Sequence, residues 1–340
     1  MDCSFHIVIS NSKPDSWSDV VWTDAKERGA LVHHDYSISL PKWLRELRVV
    51  HFSNKLNERF WLPLKSLWDK TNVIQPADLD PAKRNYIIFQ TGVKFSPHSI
   101  EILKRKCNAS IILYMPDTLS VIGIANNKDE LERYIKHYHI DDVYSFDPHD
   151  CKKYGLKFFD FYSIIDNTPD IENRESETLN NAGKKRVLYV GNARTPERLA
   201  LAHAIYKQLS DQCECTFYLN GVPEKEQKFN GIKYNHPLTY LEVVSLVKQN
   251  DVIVEIMNGN QRGNTLRGKE AVCYNKQLIT NNAEILNSPY YNPNHILCYN
   301  KPSDIDLSLL SSKTPDYHYK GEFSPRRLME MIVENDKTYK

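Results

Sequence analysis

Short apolar runs alternate with helical patterns along most of this chain, and that alternation is the strongest constraint on its fold. FHIVIS (5–10), NYIIFQT (85–91), ASIILYM (109–115) and DVYSF (142–146) read as strands. DVVWTDAKERGA (19–30), SPHSIEILKRKC (96–107) and KDELERYIKHY (128–138) read as helices. Ser96 stands at an N-cap with Pro97 at the first helical position. The pattern restarts later, with strands at 186–191, 213–221, 251–256 and 276–280. Helices at 196–210, 239–250, 265–274 and 324–335 accompany them. Strands alternating with helices predict parallel sheets covered on both faces, hence an α/β protein.

Between the two series lies NTPDIENRESETLNNAGKK (167–185), a polar stretch that reads as a linker. It separates an N-terminal domain over 1–166 from a C-terminal domain over 186–322, and the last helix lies in 323–340. Two such domains leave a cleft between them, and 340 residues suit two domains. The net charge of +1 offers no global field for nucleic acid, and none is expected as a partner. No apolar run reaches the roughly 18 residues of a membrane span. MDCSFHIVIS lacks a basic region and a cleavage site and reads as a first core strand. Seven scattered cysteines argue for reduced thiols in a cytoplasmic protein. Cys213 and Cys215 lack a second pair at ligand spacing, so no metal or other cofactor is expected.

In open parallel sheets, ligands bind beyond the carboxyl ends of the strands. Two such ends carry suggestive residues. In RVLYVGNARTPERLA, Gly191 ends a strand and Asn192 and Arg194 form the following loop. A glycine admits close backbone approach, and an arginine suits a phosphate. An ordinary turn with a solvated arginine fits the same residues. The second end is DVIVEI followed by MNGNQRGNTLRGKEAV. Asn264 or Thr265 stands where it can cap a helix whose free N–H groups and dipole suit a diphosphate. Arg267, in the first turn, calls for a counter-anion. Gly268 costs about 1 kcal/mol relative to alanine inside a helix, which suggests close packing there. Glu270 falls on nearly the same face as Arg267, where a carboxylate can accept the ribose hydroxyls. A surface Arg–Glu pair is the plainer alternative.

The order GN-x-R, NDVIVE, GNTLR-x-x-EA, K-x-LITNN and YYNPNHI resembles the donor-binding half of GT-B glycosyltransferases. The nearest likeness is to bacterial enzymes of lipopolysaccharide, capsule and related surface-polysaccharide synthesis. HFSNKLNERFWLPLKSLW, IILYMPDT and VYSFDPHDCKKYGLKFF extend the likeness into the first half. The resemblance implies two Rossmann-like domains, a nucleotide-sugar donor on the second and a glycan or lipid-linked acceptor on the first. It implies a last helix that returns to the first domain. It places Glu270 at the ribose, and Gly263, Asn264, Thr265 and Arg267 on the phosphate side, with Glu255 at the end of the preceding strand. Retaining members often carry a second glutamate where this chain has Arg262, so stereochemistry stays open.

Departure of the donor's leaving group puts charge on the diphosphate. Helix N–H groups, Arg267 and Arg194 or Arg262 could stabilise it without metal. An inverting reaction needs a base. Asp117, at a strand end, is the first candidate and Asp24 the second, although each also suits a helix cap. His33, His34, His137 and His139 read as packed or surface residues. Asp78-Leu79-Asp80 and Asp304-Ile305-Asp306 have a metal-binding form but read as loops. The absence of G-x-G-x-x-G after either first strand argues against a dehydrogenase. A nucleotide-sugar epimerase and a non-catalytic homologue are the competing readings. In 41–70, Trp43, Phe52, Phe60, Trp61, Leu64 and Trp68 alternate with basic residues. They read first as core. The alternative is peripheral contact with anionic lipid at the inner face of the cytoplasmic membrane.

Overall fold

The computed structural model describes residues 3–10, 16–35, 40–53, 56, 57, 60, 62–168, 184–257, 263, 265–310 and 312–336. Arg262, Asn264, Trp61 and residues 169–183 of the polar stretch lie outside the described residues. The chain divides into two compact units, Met1–Ser163 with Phe323–Lys340, and Ile164–Glu322.

The first unit holds β1 (Cys3–Ile9), β2 (Leu31–His34), β3 (Arg84–Gln90), β4 (Ala109–Met115), β5 (Asp142–Ser145) and β6 (Lys157–Phe158). They form one sheet in the order β2-β1-β3-β4-β5-β6. Every pairing in it is parallel. Strand β4 is buried at every position, as a central strand covered on both faces must be. Helices α1 (Lys42–His51), α2 (Pro97–Cys107), α3 (Lys128–His137) and α4 (Pro148–Tyr154) belong to this unit. Ser96 caps α2 by accepting from Ser99 N, as its position predicts. Ile100 and Leu103 of α2 and Leu131 and Tyr134 of α3 pack on Ile87, Phe89, Ile111 and Leu113 of the sheet.

The second unit holds β7 (Arg186–Asn192), β8 (Glu214–Asn220), β9 (Ile232–Tyr234), β10 (Val252–Glu255), β11 (Gln277–Thr280) and β12 (Ile296–Cys298). Its helices are α5 (Pro196–Leu209), α6 (Tyr240–Gln249) and α7 (Leu266–Cys273). The order β12-β11-β10-β7-β8-β9 is that of a doubly wound α/β sheet, and it reverses between β7 and β10. Strand β7 pairs with β8 as far as Asn192↔Asn220. With β10 it pairs only at Val252↔Val187 and Ile253↔Leu188. The ladder therefore opens where the strand order reverses.

Helix α8 (Pro325–Asn335) completes the first unit. Ser324 Oγ donates to Asp24 Oδ2 at 2.6 Å, and Arg326 Nη2 donates to Glu27 Oε2 at 2.6 Å. At its other end, Asp336 accepts from Arg84 Nε at 2.7 Å. All seven cysteines are free thiols. Among the described residues, no helix is long and apolar enough to cross a membrane.

Candidate functional site

The described residues singled out for the donor in the second half of the chain lie at or beyond the ends of β7 and β10, the two strands at which the sheet order reverses. Beyond β7, Asn192 and Arg194 are exposed, and Thr195 caps α5 by accepting from Arg198 N. The stem of Arg194 lies across Gly221. A Cβ at Gly221 would stand 2.7 Å from Arg194 Cγ, and its φ of +77° suits glycine. Gly191 is required by a neighbour within the chain. A Cβ there would come within 2.5 Å of Tyr189 Oη, so the glycine makes room for a side chain two residues back.

Burial pushes the Tyr189 hydroxyl's pKa up, while the charges of Arg198 and Arg267 pull it down. Arg198 also donates from Nη2 to Ile256 O at 2.9 Å, which ties α5 to the end of β10. Arg198 was not singled out in the sequence. Its only signal is its place in the first turn of a helix that follows a strand.

On the β10 side, Thr265 is the N-cap of α7, and its Oγ1 accepts from Arg267 N at 3.1 Å. The capping expectation holds for Thr265, whereas Asn264 is outside the described residues. Gly263 is buried. Glu255 is buried too, and its two carboxylate oxygens accept from Thr265 Oγ1 and Thr280 Oγ1. Expected among the donor-binding residues, Glu255 instead braces the cap of α7 against β11. Gly268 lies over this carboxylate, but a Cβ would meet Glu255 Oε1 at 3.6 Å, an ordinary contact. Close packing therefore does not require a glycine there.

Glu270 is the main correction. A ribose partner needs an accessible carboxylate, and Glu270 is wholly buried. Its Oε1 accepts from Tyr240 Oη at 2.9 Å, and its Oε2 pairs with Arg267 Nη1. Burial raises its pKa, and Arg267, Tyr240 and Lys269 act in the opposite direction. Arg267 is half-buried and held by this pair. The carboxylate thus orients a guanidinium at the start of α7 and is closed off by a tyrosine on α6. The plainer Arg–Glu pairing is the one present, although it is buried rather than at the surface.

In the first unit, Asp117 lies just past β4, as its place in the sequence indicates. It is half-buried, and its Oδ1 accepts from Thr118 N at 2.8 Å. Asp24 does not fit a catalytic base. Its carboxylate receives Ser324 and its backbone carbonyl receives Arg326, so it anchors α8. The aspartates of both D-x-D segments close local turns. Asp78 accepts from Gln75 N, Asp80 from Ala82 N, Asp304 from Lys301 N and Asp306 from Ser308 N. A carboxylate missed by sequence reasoning is Asp150, which is buried in the first turn of α4 and accepts from Leu119 N at 2.8 Å. Burial raises its pKa.

No protein-family profile and no curated protein sequence matches the chain. Solved structures do. A trehalose-6-phosphate synthase, OtsA, superposes with a TM-score of 0.54 at 13% identity, over 98% of this chain and 96% of that one. The chain has the GT-B fold. Two further solved structures lie close by. An α,α-trehalose-phosphate synthase (UDP-forming) from Burkholderia vietnamiensis gives 0.49 at 13% identity, over 99% and 96% of the two chains. A putative UDP-N-acetylglucosamine 2-epimerase from Listeria monocytogenes gives 0.48 at 10% identity, over 99% and 98%. At 13% identity the likeness to the trehalose-6-phosphate synthase concerns the fold alone. In GT-B terms, the site at β7 and β10 belongs to the second Rossmann-like unit.

Proposed function

We propose that this protein is a glycosyltransferase that moves a sugar from a nucleotide-sugar donor to a glycan or lipid-linked glycan. The setting we infer is bacterial surface-polysaccharide assembly in the cytoplasm. The observation that carries the reading is the open ladder between β7 and β10, where Arg198 reaches the end of β10 and Arg267 stands in the first turn of α7. A helix N-terminus with several guanidinium groups is a receptor for a diphosphate. The donor's diphosphate is assigned to this site, with the exposed Asn192 and Arg194 on its solvent side. Charge that develops on the leaving diphosphate is stabilised by these fixed cations and N–H groups, with no metal required. Glu270 takes a positioning role. It holds Arg267 in place instead of touching the ribose.

The first unit is assigned the acceptor, and Asp117 the removal of the acceptor proton. A thermal-shift screen with UDP, GDP, CMP and their sugars tests the reading. A shift of several degrees with one nucleotide family supports it. No shift with any of them sinks it. Incubation with labelled donor and no acceptor separates transfer from epimerisation, because release of an isomerised sugar overturns the transferase assignment. Full activity in EDTA is expected.

A further inference from the structure

Helix α1 and the turn at Lys65–Thr71 are built inside out. Trp43, Leu47 and Val50 recur at helical spacing along one side of α1, and they are 65%, 49% and 51% exposed. The buried residue of that helix is Arg48, whose Nη1 donates to Asp35 Oδ1 at 2.8 Å. The turn repeats the inversion. Leu67 is 72% exposed, while Lys65 is buried with its Nζ donating to Tyr138 Oη at 2.8 Å. Leu64, just before the turn, is 68% exposed and takes a left-handed φ of 60°. That conformation costs a leucine about 1 kcal/mol. Trp68 Nε1 donates to His51 Nδ1 at 2.8 Å, and His51 Nε2 meets Pro63 O at 2.7 Å, so helix and turn form one body.

The core reading of this region holds for Phe52 and Trp68 and fails for Trp43, Phe60 and Leu64. Of the 14 large exposed apolar side chains among the described residues, eight lie between Trp43 and Leu67. So many exposed apolar side chains in one short stretch mark an interaction surface. Charge identifies the occupant. Residues 41–70 contain seven basic and three acidic residues, a net of +4, whereas the whole chain is +1 and the remainder therefore −3. Arg48 and Lys65 are turned inward, whereas Lys42 and Lys70 are exposed and Arg45 is half-exposed. With the exposed Glu46, 3.9 Å from Lys42 Nζ, and the half-buried Asp69 counted against them, the described charges that reach solvent keep a basic excess.

We propose that this face rests on an anionic lipid bilayer. Trp43, Leu47, Val50, Phe60, Leu64 and Leu67 enter the interfacial zone, and Lys42, Arg45 and Lys70 lie among the headgroups. This deepens the transferase reading, since a protein seated on a bilayer meets a lipid-linked acceptor there.

Co-sedimentation with phosphatidylcholine vesicles, with and without phosphatidylglycerol, is the test. Binding is expected with the anionic vesicles at low salt, and it should weaken as salt rises. The triple variant Trp43→Ser, Leu47→Ser, Leu67→Ser should bind about 10-fold more weakly. Its melting temperature should stay near that of the wild type, because the three side chains are exposed. Absence of wild-type binding at low salt overturns the proposal. So does self-association in sedimentation velocity that the variant abolishes while vesicle binding persists. A nucleotide thermal shift on the same samples keeps the readings apart. Vesicle binding without nucleotide binding upholds the surface and removes the transferase, and the reverse removes the surface alone.

Discussion

The hydroxyl of Tyr240 donates to Glu270 Oε1 at 2.9 Å and closes a carboxylate that the sequence places at a ribose. With Arg267 on the other oxygen, both faces of the carboxylate are engaged by protein. A positioning role predicts that UDP and 2′-deoxy-UDP bind with equal affinity. A ribose contact predicts a loss of about 10-fold or more for the deoxy compound, the cost of an unpaired buried polar group. Calorimetric titration of both nucleotides decides between them.

Removal of the same carboxylate leaves a half-buried guanidinium without its partner. Glu270→Ala is therefore expected to destabilise the fold by about 3 kcal/mol and to weaken nucleotide binding. Tyr240→Phe removes one hydrogen bond and should cost about 1 kcal/mol. Chemical denaturation of the two variants measures the difference.

The glycines divide by what surrounds them. Gly268→Ala meets only an ordinary contact with Glu255 and gains helix propensity, so stability should rise by about 0.5–1 kcal/mol. Gly221→Ala meets both a positive φ and the Arg194 stem, and it should destabilise by about 1–2 kcal/mol while displacing that arginine. Melting curves check both, and nucleotide affinity checks the second.

His6 Nδ1 lies 3.2 Å from His33 Nε2, with the rings stacked. Burial and the neighbouring His33 depress the pKa of His6 to about 4, with Asp78 opposing. Well above pH 6.5 neither the folded nor the unfolded chain protonates this residue, and it has no effect on stability. As pH falls from there toward 4, the unfolded chain takes up a proton that the folded chain refuses, so stability falls. The full shift corresponds to about 3 kcal/mol, solvent screening of the partly exposed pair reduces the expected loss to about 2 kcal/mol, and His6→Gln should diminish it. Melting temperatures of both proteins between these pH values test it.

The two candidate bases differ in what holds them. Asp117→Asn should lower kcat by about 100-fold or more with donor affinity unchanged. Asp24→Asn weakens the hydrogen bond from Ser324 at the start of α8 and should lower stability by about 1 kcal/mol while turnover per folded molecule persists. Steady-state kinetics with denaturation curves tells them apart.

Most strand and helix identity was legible because periodicity and caps are local, although the helix expected over 19–30 is two short ones, Trp17–Val20 and Thr23–Glu27. The central strands β1, β3, β4, β7, β10 and β11 are continuous apolar runs, and Ser96 and Thr265 stand where their helices begin. The edge strands β6, β9 and β12 span two or three residues, and β2 spans four, too few to display a period. Sheet order also escaped the sequence, since hydrogen bonding between β7 and β10 joins residues 65 positions apart, as at Val187 and Val252. The candidate site divides in the same way. The sequence alone determined that Arg194, Thr265 and Arg267 would lie beyond strand ends, because position along the chain settles that. Only tertiary packing decided that Tyr240 would close on Glu270, that Ser324 would occupy Asp24, and that Arg48 would turn inward while Trp43 turned outward. A side chain's burial depends on which distant element folds against it, and residue type and spacing do not carry that information.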